Sequence, residues 1–204
     1  MNNKLPNITT KTGDSGTSRL WSGETLSKDN FRFFLLGKLD TLSAQIGICK
    51  ATAKSSNICF VVSEAFDSLS KIQSHLVRFM GEIATTEDKW SHYYKNHKPI
   101  TDVDIDYLDR SSLAVKTYLE GKNYKIDGWV SYGDETLLSA HLDMSSKLCR
   151  EAECFLYFSQ TLLQCEALIK PEQSEATPLT YRKELKTYIN RLSDYLYWLA
   201  RMSS

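Results

Sequence analysis

Nine residues near the amino end, Thr10-Lys11-Thr12-Gly13-Asp14-Ser15-Gly16-Thr17-Ser18, carry two glycines, one aspartate and five hydroxyl side chains. Glycine permits positive φ, and successive turn amides can then converge on one anion. Lys11, Arg19 and Lys28 add positive charge close by. Such a stretch suits a phosphate, although the same residue types also build ordinary loops.

Other residues invite a similar weighing. Arg150 and Glu153 are three apart, so they either pair on a helix surface or present a guanidinium to a phosphate. Asp40 shares a small-residue stripe with Gly37, Ala44 and Gly47. It is either a surface charge or a buried acid seeking a cation. Asn190, Arg191, Ser193 and Asp194 interrupt an otherwise apolar run with polar groups. Tyr124 to Asp134 is aromatic and turn-rich, suited to plugging a core or walling a site. His75 reads as a surface or internally satisfied histidine. His92 and His97 are five apart, wrong for one helical face, and no metal site is expected there.

These residues need a scaffold, and composition bounds it. A chain of 204 residues makes one domain with a sizeable core. Lys plus Arg and Asp plus Glu are both 25, so the formal charge is zero and no nucleic-acid or anionic-membrane partner is expected. No apolar run is long enough to span a bilayer, and Met1 to Pro6 lacks a signal-peptide core. The five cysteines include no CxxC pair, which suggests reduced thiols and a cytoplasmic location.

Residues 1–27 read as an extended arm with a turn at Trp21-Ser22-Gly23, and Ser27 or Asp29 is the expected cap of the first helix. Apolar residues at steps of three and four predict five helices. About 31–54 carries Leu35, Leu39, Leu42, Ile46 and Cys49, and 58–84 carries Phe66, Leu69, Ile72, Leu76, Phe79 and Ile83. The run 85–101 reads as a long loop. Thr101 or Asp102 caps a helix over 102–120, with Ile105, Leu108, Leu113 and Leu119 apolar and Gly121 as C-cap. The next, 135–168, is striped by Leu137, His141, Met144, Leu148, Ala152, Phe155, Ser159 and Leu162. After a linker, Lys170 to Pro178, the last helix covers 180–202 with Leu185, Tyr188, Ile189, Leu192, Tyr195, Leu196 and Leu199. The expected fold is all-α: an antiparallel four- or five-helix bundle of ferritin-like up-down topology, with an extended N-terminal nucleotide-binding arm.

Three separated segments, in this order, resemble the PduO-type ATP:corrinoid adenosyltransferases. They are T-K-T-G-D-S-G-T-S running on to L-S-K-D-N (Leu26 to Asn30), L-C-R-E-A-E (Leu148 to Glu153), and Y-I-N-R-L-S-D-Y-L (Tyr188 to Leu196). The resemblance implies a single domain over 1–204, a homotrimer with active sites between subunits, and transfer of the 5′-deoxyadenosyl group of ATP to cob(I)alamin. It implies that Thr10, Lys11, Thr12, Gly13, Ser18, Arg19 and Lys28 hold the triphosphate, with Mg²⁺ upon it. Arg150, Glu153 and Asn190 would hold the nucleotide. Asp40 would orient a catalytic arginine across the subunit boundary. An aromatic residue would displace the lower axial ligand of cobalt. Trp129 is the nearest aromatic, and a gap-free count from Arg150 puts Val130 at the family's phenylalanine position. A flavoprotein reductant or a cobalamin-dependent acceptor enzyme is the implied partner.

The chain departs from the family's R-x-x-x-R-R-A-E-R run: Ser146, Glu151 and Cys154 stand where it has arginines. This predicts slowed transfer unless another cation, such as Lys147, compensates. The alternative is a catalytically weakened ATP- or corrinoid-binding homologue acting as carrier or sensor.

Overall fold

Leu35, Leu39, Leu42, Ile46 and Cys49 are all fully buried, and the helix they stripe opens the bundle: α1 (Phe31–Ser55). The computed structural model describes residues 9, 11–55, 60–128, 130–132, 136–169 and 180–203. The linker at Lys170 to Pro178 lies outside them, as do the side chain of Phe66 and the proposed site residues Thr10 and Trp129. The cap of α1 is neither Ser27 nor Asp29. Asn30 Oδ1 accepts the Arg32 amide at 3.0 Å, while Ser27 belongs to a strand.

The helix α2 (Phe60–Ile83) runs back along α1, with Gln73 donating to the Ser43 carbonyl at 2.9 Å and Arg32 to the Ile83 carbonyl at 2.8 Å. Next come α3 (Trp90–Asn96), α4 (Asp102–Gly121), α5 (Leu137–Ile169) and α6 (Lys183–Met202). Thr101 precedes α4 as expected, and Asp104 Oδ2 accepts its amide at 2.9 Å. Arg78 of α2 holds the same carboxylate at 2.7 Å. α5 lies antiparallel to α1, through Lys38 with Glu151 and Gln45 with His141. α6 runs antiparallel to α5, with Ser146 donating to the Ser193 carbonyl at 2.9 Å and Thr136 to the Ser203 carbonyl at 2.7 Å. The long helices thus alternate up and down. All seven apolar residues expected to stripe α6 are buried. Each such leucine contributes about 1.5–3 kcal/mol over an exposed one.

The structure corrects four further expectations. First, 85–101 is not a loop. It holds a short 3₁₀ turn (Glu87–Lys89) and α3, where Trp90, Tyr93, Tyr94 and His97 fall at steps of three and four. Tyr93 is buried against α2, and a Cβ on Gly81 would clash with its hydroxyl. Second, the core stripe of α5 keeps Ala152 and Ser159 of the expected one but is otherwise displaced by one residue: Leu138, Leu142, Cys149 and Leu156 are buried, whereas Leu137, Met144 and Leu162 are exposed. The helix is apolar on two faces, and periodicity alone mixed residues of the outer one into the stripe. Third, Val115 rather than Leu113 faces the core from α4. Fourth, the helix runs through Gly121, and the positive φ falls at Asn123, a residue whose amide tolerates it. The arm also gains regular structure, β1 (Thr17–Arg19) and β2 (Thr25–Ser27), too short to show alternation in sequence.

Candidate active site

The arm folds into a tight loop by backbone geometry. Lys11 and Gly16 both take positive φ, at 60° and 80°. Asp14 N donates to the Lys11 carbonyl and Gly16 N to the Gly13 carbonyl. β1 pairs antiparallel with β2 in the register Ser18↔Leu26. Lys28 follows the hairpin, and its amide donates to the Gly16 carbonyl at 2.8 Å. Its ammonium lies over Gly13, where an added Cβ would come within 3.0 Å of Nζ. A side chain there would push the ammonium aside by a few tenths of an ångström. Thr12, Gly13, Thr17, Ser18, Arg19 and Thr25 line a pocket of about 380 Å³.

Polar contacts moor this arm to the end of α2 and the 3₁₀ turn. Leu20 is buried. Ser22 N donates to the Ala84 carbonyl at 3.3 Å, and Lys89 Nζ donates to the Ser22 carbonyl at 3.0 Å and pairs with Glu24. The Lys89 ammonium and then the Ser22 hydroxyl hold the Glu24 carboxyl down at about 2. Trp21 meets Tyr93 and His97 edge-on, with ring centroids 5.2 and 5.0 Å away. Sequence reasoning did not name Ser22, Glu24 or Lys89 as part of the site. The helical spacing of the aromatics after Lys89 is the signal that would have drawn attention to this mooring.

The second cluster sits on α5 and α6. Asn190 Nδ2 donates to Glu153 Oε1 at 3.0 Å, and Arg191 Nη1 donates to Asn190 Oδ1 at 3.0 Å. Glu153 therefore serves Asn190 across the helix pair rather than Arg150 within its own helix. Arg150 is exposed and lines a pocket of about 330 Å³ with Ser146, Lys147, Asp194 and Tyr197, closed by Val130 and Tyr132 of the aromatic loop. Ser146 is buried, with its hydroxyl spent on Ser193. Glu151 pairs with Lys38 of α1.

Asp40 stands apart. It is exposed and lines a third pocket, of about 380 Å³, whose other walls include Trp21, Met80, Tyr93 and His97. The structure therefore groups Thr12, Gly13, Ser18, Arg19 and Lys28 in the arm, with Lys11 exposed beside them. It joins Glu153 to Asn190, and gathers Arg150 with Lys147. The arm pocket and the α5–α6 pocket share no lining residue. Burial raises the thiols of Cys49 and Cys149, which makes both poor nucleophiles.

The family model for cobalamin adenosyltransferase matches residues 8–203. The chain belongs to the cobalamin adenosyltransferase family. It is an adenosyltransferase that acts on a corrinoid. A corrinoid adenosyltransferase of Citrobacter freundii is 28% identical over 198 residues, covering 96% of this chain and 93% of the relative. A PduO corrinoid adenosyltransferase of Salmonella typhimurium is 29% identical over 194 residues, and this chain spans 48% of that longer protein. Among solved structures, an arginine-to-lysine variant of the PduO-type enzyme of Lactobacillus reuteri, complexed with ATP, superposes with a TM-score of 0.70 at 22% identity, covering 96% of this chain and 93% of that one. A phenylalanine-to-histidine variant complexed with cobalamin and ATP gives 0.66. These likenesses bear out the helical-bundle architecture.

Proposed function

We propose that this chain transfers the 5′-deoxyadenosyl group of ATP to cob(I)alamin, giving adenosylcobalamin and triphosphate. The observation that carries the reading is the Lys28 ammonium laid across Gly13 beside Arg19 and Ser18, a cradle for a polyphosphate. Family membership and relatives complexed with ATP and cobalamin support it. Nothing among the described residues adds to the carrier or sensor reading.

In this proposal Lys11, Thr12, Gly13, Ser18, Arg19 and Lys28 bind the triphosphate, together with Thr10, which lies outside the described residues. Loop amides and the three cations stabilise the charge that grows on triphosphate as it departs. Arg150, Glu153 and Asn190 hold the nucleotide from the helices and align C5′ with cobalt. Cob(I)alamin is itself the nucleophile, so the protein supplies orientation and electrostatics. Val130, on the pocket wall, or Trp129, outside the described residues, would face the corrinoid.

Mg²⁺ belongs to the same reading. Among the described residues no three His, Cys, Asp or Glu side chains gather as a metal cluster. The arm offers hydroxyls and the Asp14 carboxylate, a donor set that fits an ion carried mostly by phosphate oxygens and water. Such an ion would neutralise leaving-group charge.

A homotrimer with shared sites completes the proposal. Two observations support it: the arm and helix pockets are separate within one chain, and α5 leaves Leu137, Met144, Phe158 and Leu162 exposed on a second apolar face. Asp40 would then face a cationic group of the next subunit. A cytoplasmic location fits the free thiols of Cys49, Cys149, Cys154 and Cys165. Among the described residues no helix is long and apolar enough to cross a membrane. A flavoprotein reductant or a cobalamin-dependent acceptor enzyme remains the proposed partner.

The test is anaerobic spectrophotometry. Cob(I)alamin made by a chemical reductant is mixed with ATP, Mg²⁺ and protein. Protein-dependent conversion to adenosylcobalamin with matching triphosphate release is expected. Corrinoid decay at the protein-free rate sinks the reading.

A further inference from the structure

The α5–α6 pocket holds a cation that the nucleotide-binding residues above do not include. Lys147 and Arg150 are three apart on α5 and line the same cavity, with Asp194 the one carboxylate on its described walls. Arg150 has no described ion pair. Ser146, beside them, is buried and neutral, and its hydroxyl is committed to the Ser193 carbonyl. Two cations against one acid leave the pocket net positive, which suits an anion.

Lys147 is also held in an unusual way. Its ammonium lies 4.7 Å from the Tyr132 ring centroid and 5.9 Å from that of Tyr197. The Arg201 guanidinium also lies over the Tyr197 ring, 5.2 Å from its centroid, and Arg201 is itself buried against Asp143. Ring faces attract the ammonium through its charge and use none of its N–H donors as a carboxylate would. The side chain is thus steered toward the cavity with its hydrogen-bonding capacity free.

We propose that Lys147, held by Tyr132 and Tyr197, is a second phosphate-binding cation of this site and contacts the ATP triphosphate alongside Arg150. This rests on the transferase reading given above. The role is a positioning one before transfer and an electrostatic one as triphosphate departs. Lys147 thereby supplies charge beside Ser146, which cannot.

The experiment is a calorimetric titration of inorganic triphosphate into the full chain, for the wild type and for Lys147→Gln, Lys147→Arg and Tyr132→Leu. Lys147→Gln is expected to weaken binding about tenfold, the value of one charge-assisted hydrogen bond. The loss should shrink as salt rises. Lys147→Arg should restore most of it, and Tyr132→Leu should weaken binding a few-fold. Circular dichroism melts within a degree or two of wild type would confirm that the variants fold. Unchanged affinity in Lys147→Gln overturns the proposal, as does a wild type that binds no triphosphate. Corrinoid turnover by the wild type tests the transferase reading separately. Turnover with an unaffected Lys147→Gln titration defeats only the Lys147 role. A weakened titration without turnover defeats only the transferase reading.

Discussion

In the proposed site the arm and the α5–α6 face would reach phosphate-binding chemistry by opposite routes. The arm uses backbone turns, three residues at positive φ and hydroxyls, and it is moored by Leu20, Ser22 and Glu24. The helix face uses long side chains on rigid elements whose other sides make the core. The first can be altered without disturbing the fold; the second cannot be approached from below without disturbing it. Function and stability should therefore separate in one region and merge in the other.

The largest effect is expected beneath the helices. Glu82 is buried, and its carboxylate accepts the Ile100 amide at 2.8 Å, the Tyr94 hydroxyl at 3.0 Å and Arg182 Nε at 2.9 Å. Glu82→Ala strips all three donors, ties between α2, α3 and α6 among them. It should cost about 3–5 kcal/mol in denaturant unfolding. A loss below 1 kcal/mol would mean that this end of the bundle is held otherwise.

Next comes the arm. Lys28→Ala and Arg19→Ala should each weaken ATP binding by about 1.5–3 kcal/mol, the value of a hydrogen bond to a charged group. Both should leave unfolding within about 0.5 kcal/mol of wild type, as exposed substitutions do. If melting shifts along with affinity, the contrast between the two regions fails.

A pH titration sharpens the contrast from the core side. Burial, first, pushes the His75 imidazole below its ordinary value of 6.5, against the pull of the Asp104 carboxylate of α4. Arg78 and Lys71 of α2 push the same way as burial, and the Tyr107 and Tyr188 rings of α4 and α6 pack beside it. Nε2 lies 3.3 Å from Asp104, which can only accept, so Nδ1 accepts from the Tyr188 hydroxyl at 3.1 Å. The folded chain binds fewer protons than the unfolded one below pH 6.5. Its stabilisation is complete above that pH and is lost as pH falls toward the depressed value. The melting temperature should drop between pH 7 and 5, and His75→Gln should flatten that part of the curve. The arm's Glu24 anchor titrates much lower and should not contribute in this range.

The smallest effect is at Asn190. Asn190→Ala removes the bond to Glu153, an exposed pair, and should raise the ATP KM a few-fold while leaving stability within about 0.5 kcal/mol. An unchanged KM would take Asn190 out of the nucleotide site.

What could be read from the sequence follows the same division. The core helices α1, α2 and α6 were legible because apolar residues at steps of three and four run unbroken along the buried face of each. α5 misled because both faces are apolar, so Met144 and Leu162 passed for core while Leu142 and Cys149 filled it. α3 was hidden because its stripe is aromatic: Trp90, Tyr93, Tyr94 and His97 have the helical spacing but read as loop chemistry. The arm loop was legible because glycine, hydroxyl and lysine chemistry is local. The arrangement around Lys147 was not, because Tyr132, Lys147 and Tyr197 meet only once a loop and two helices are packed.

The most direct test of a site built from the arm of one copy and the helices of another is complementation. Lys28→Ala and Arg150→Ala chains, differently tagged, are co-expressed, and assemblies carrying both tags are purified and assayed for ATP-dependent formation of adenosylcobalamin. Each variant alone should be nearly inactive, and the mixed assembly should recover activity, because some of its sites join an intact arm to an intact helix face. Mixed assemblies no more active than either parent would contradict the shared site.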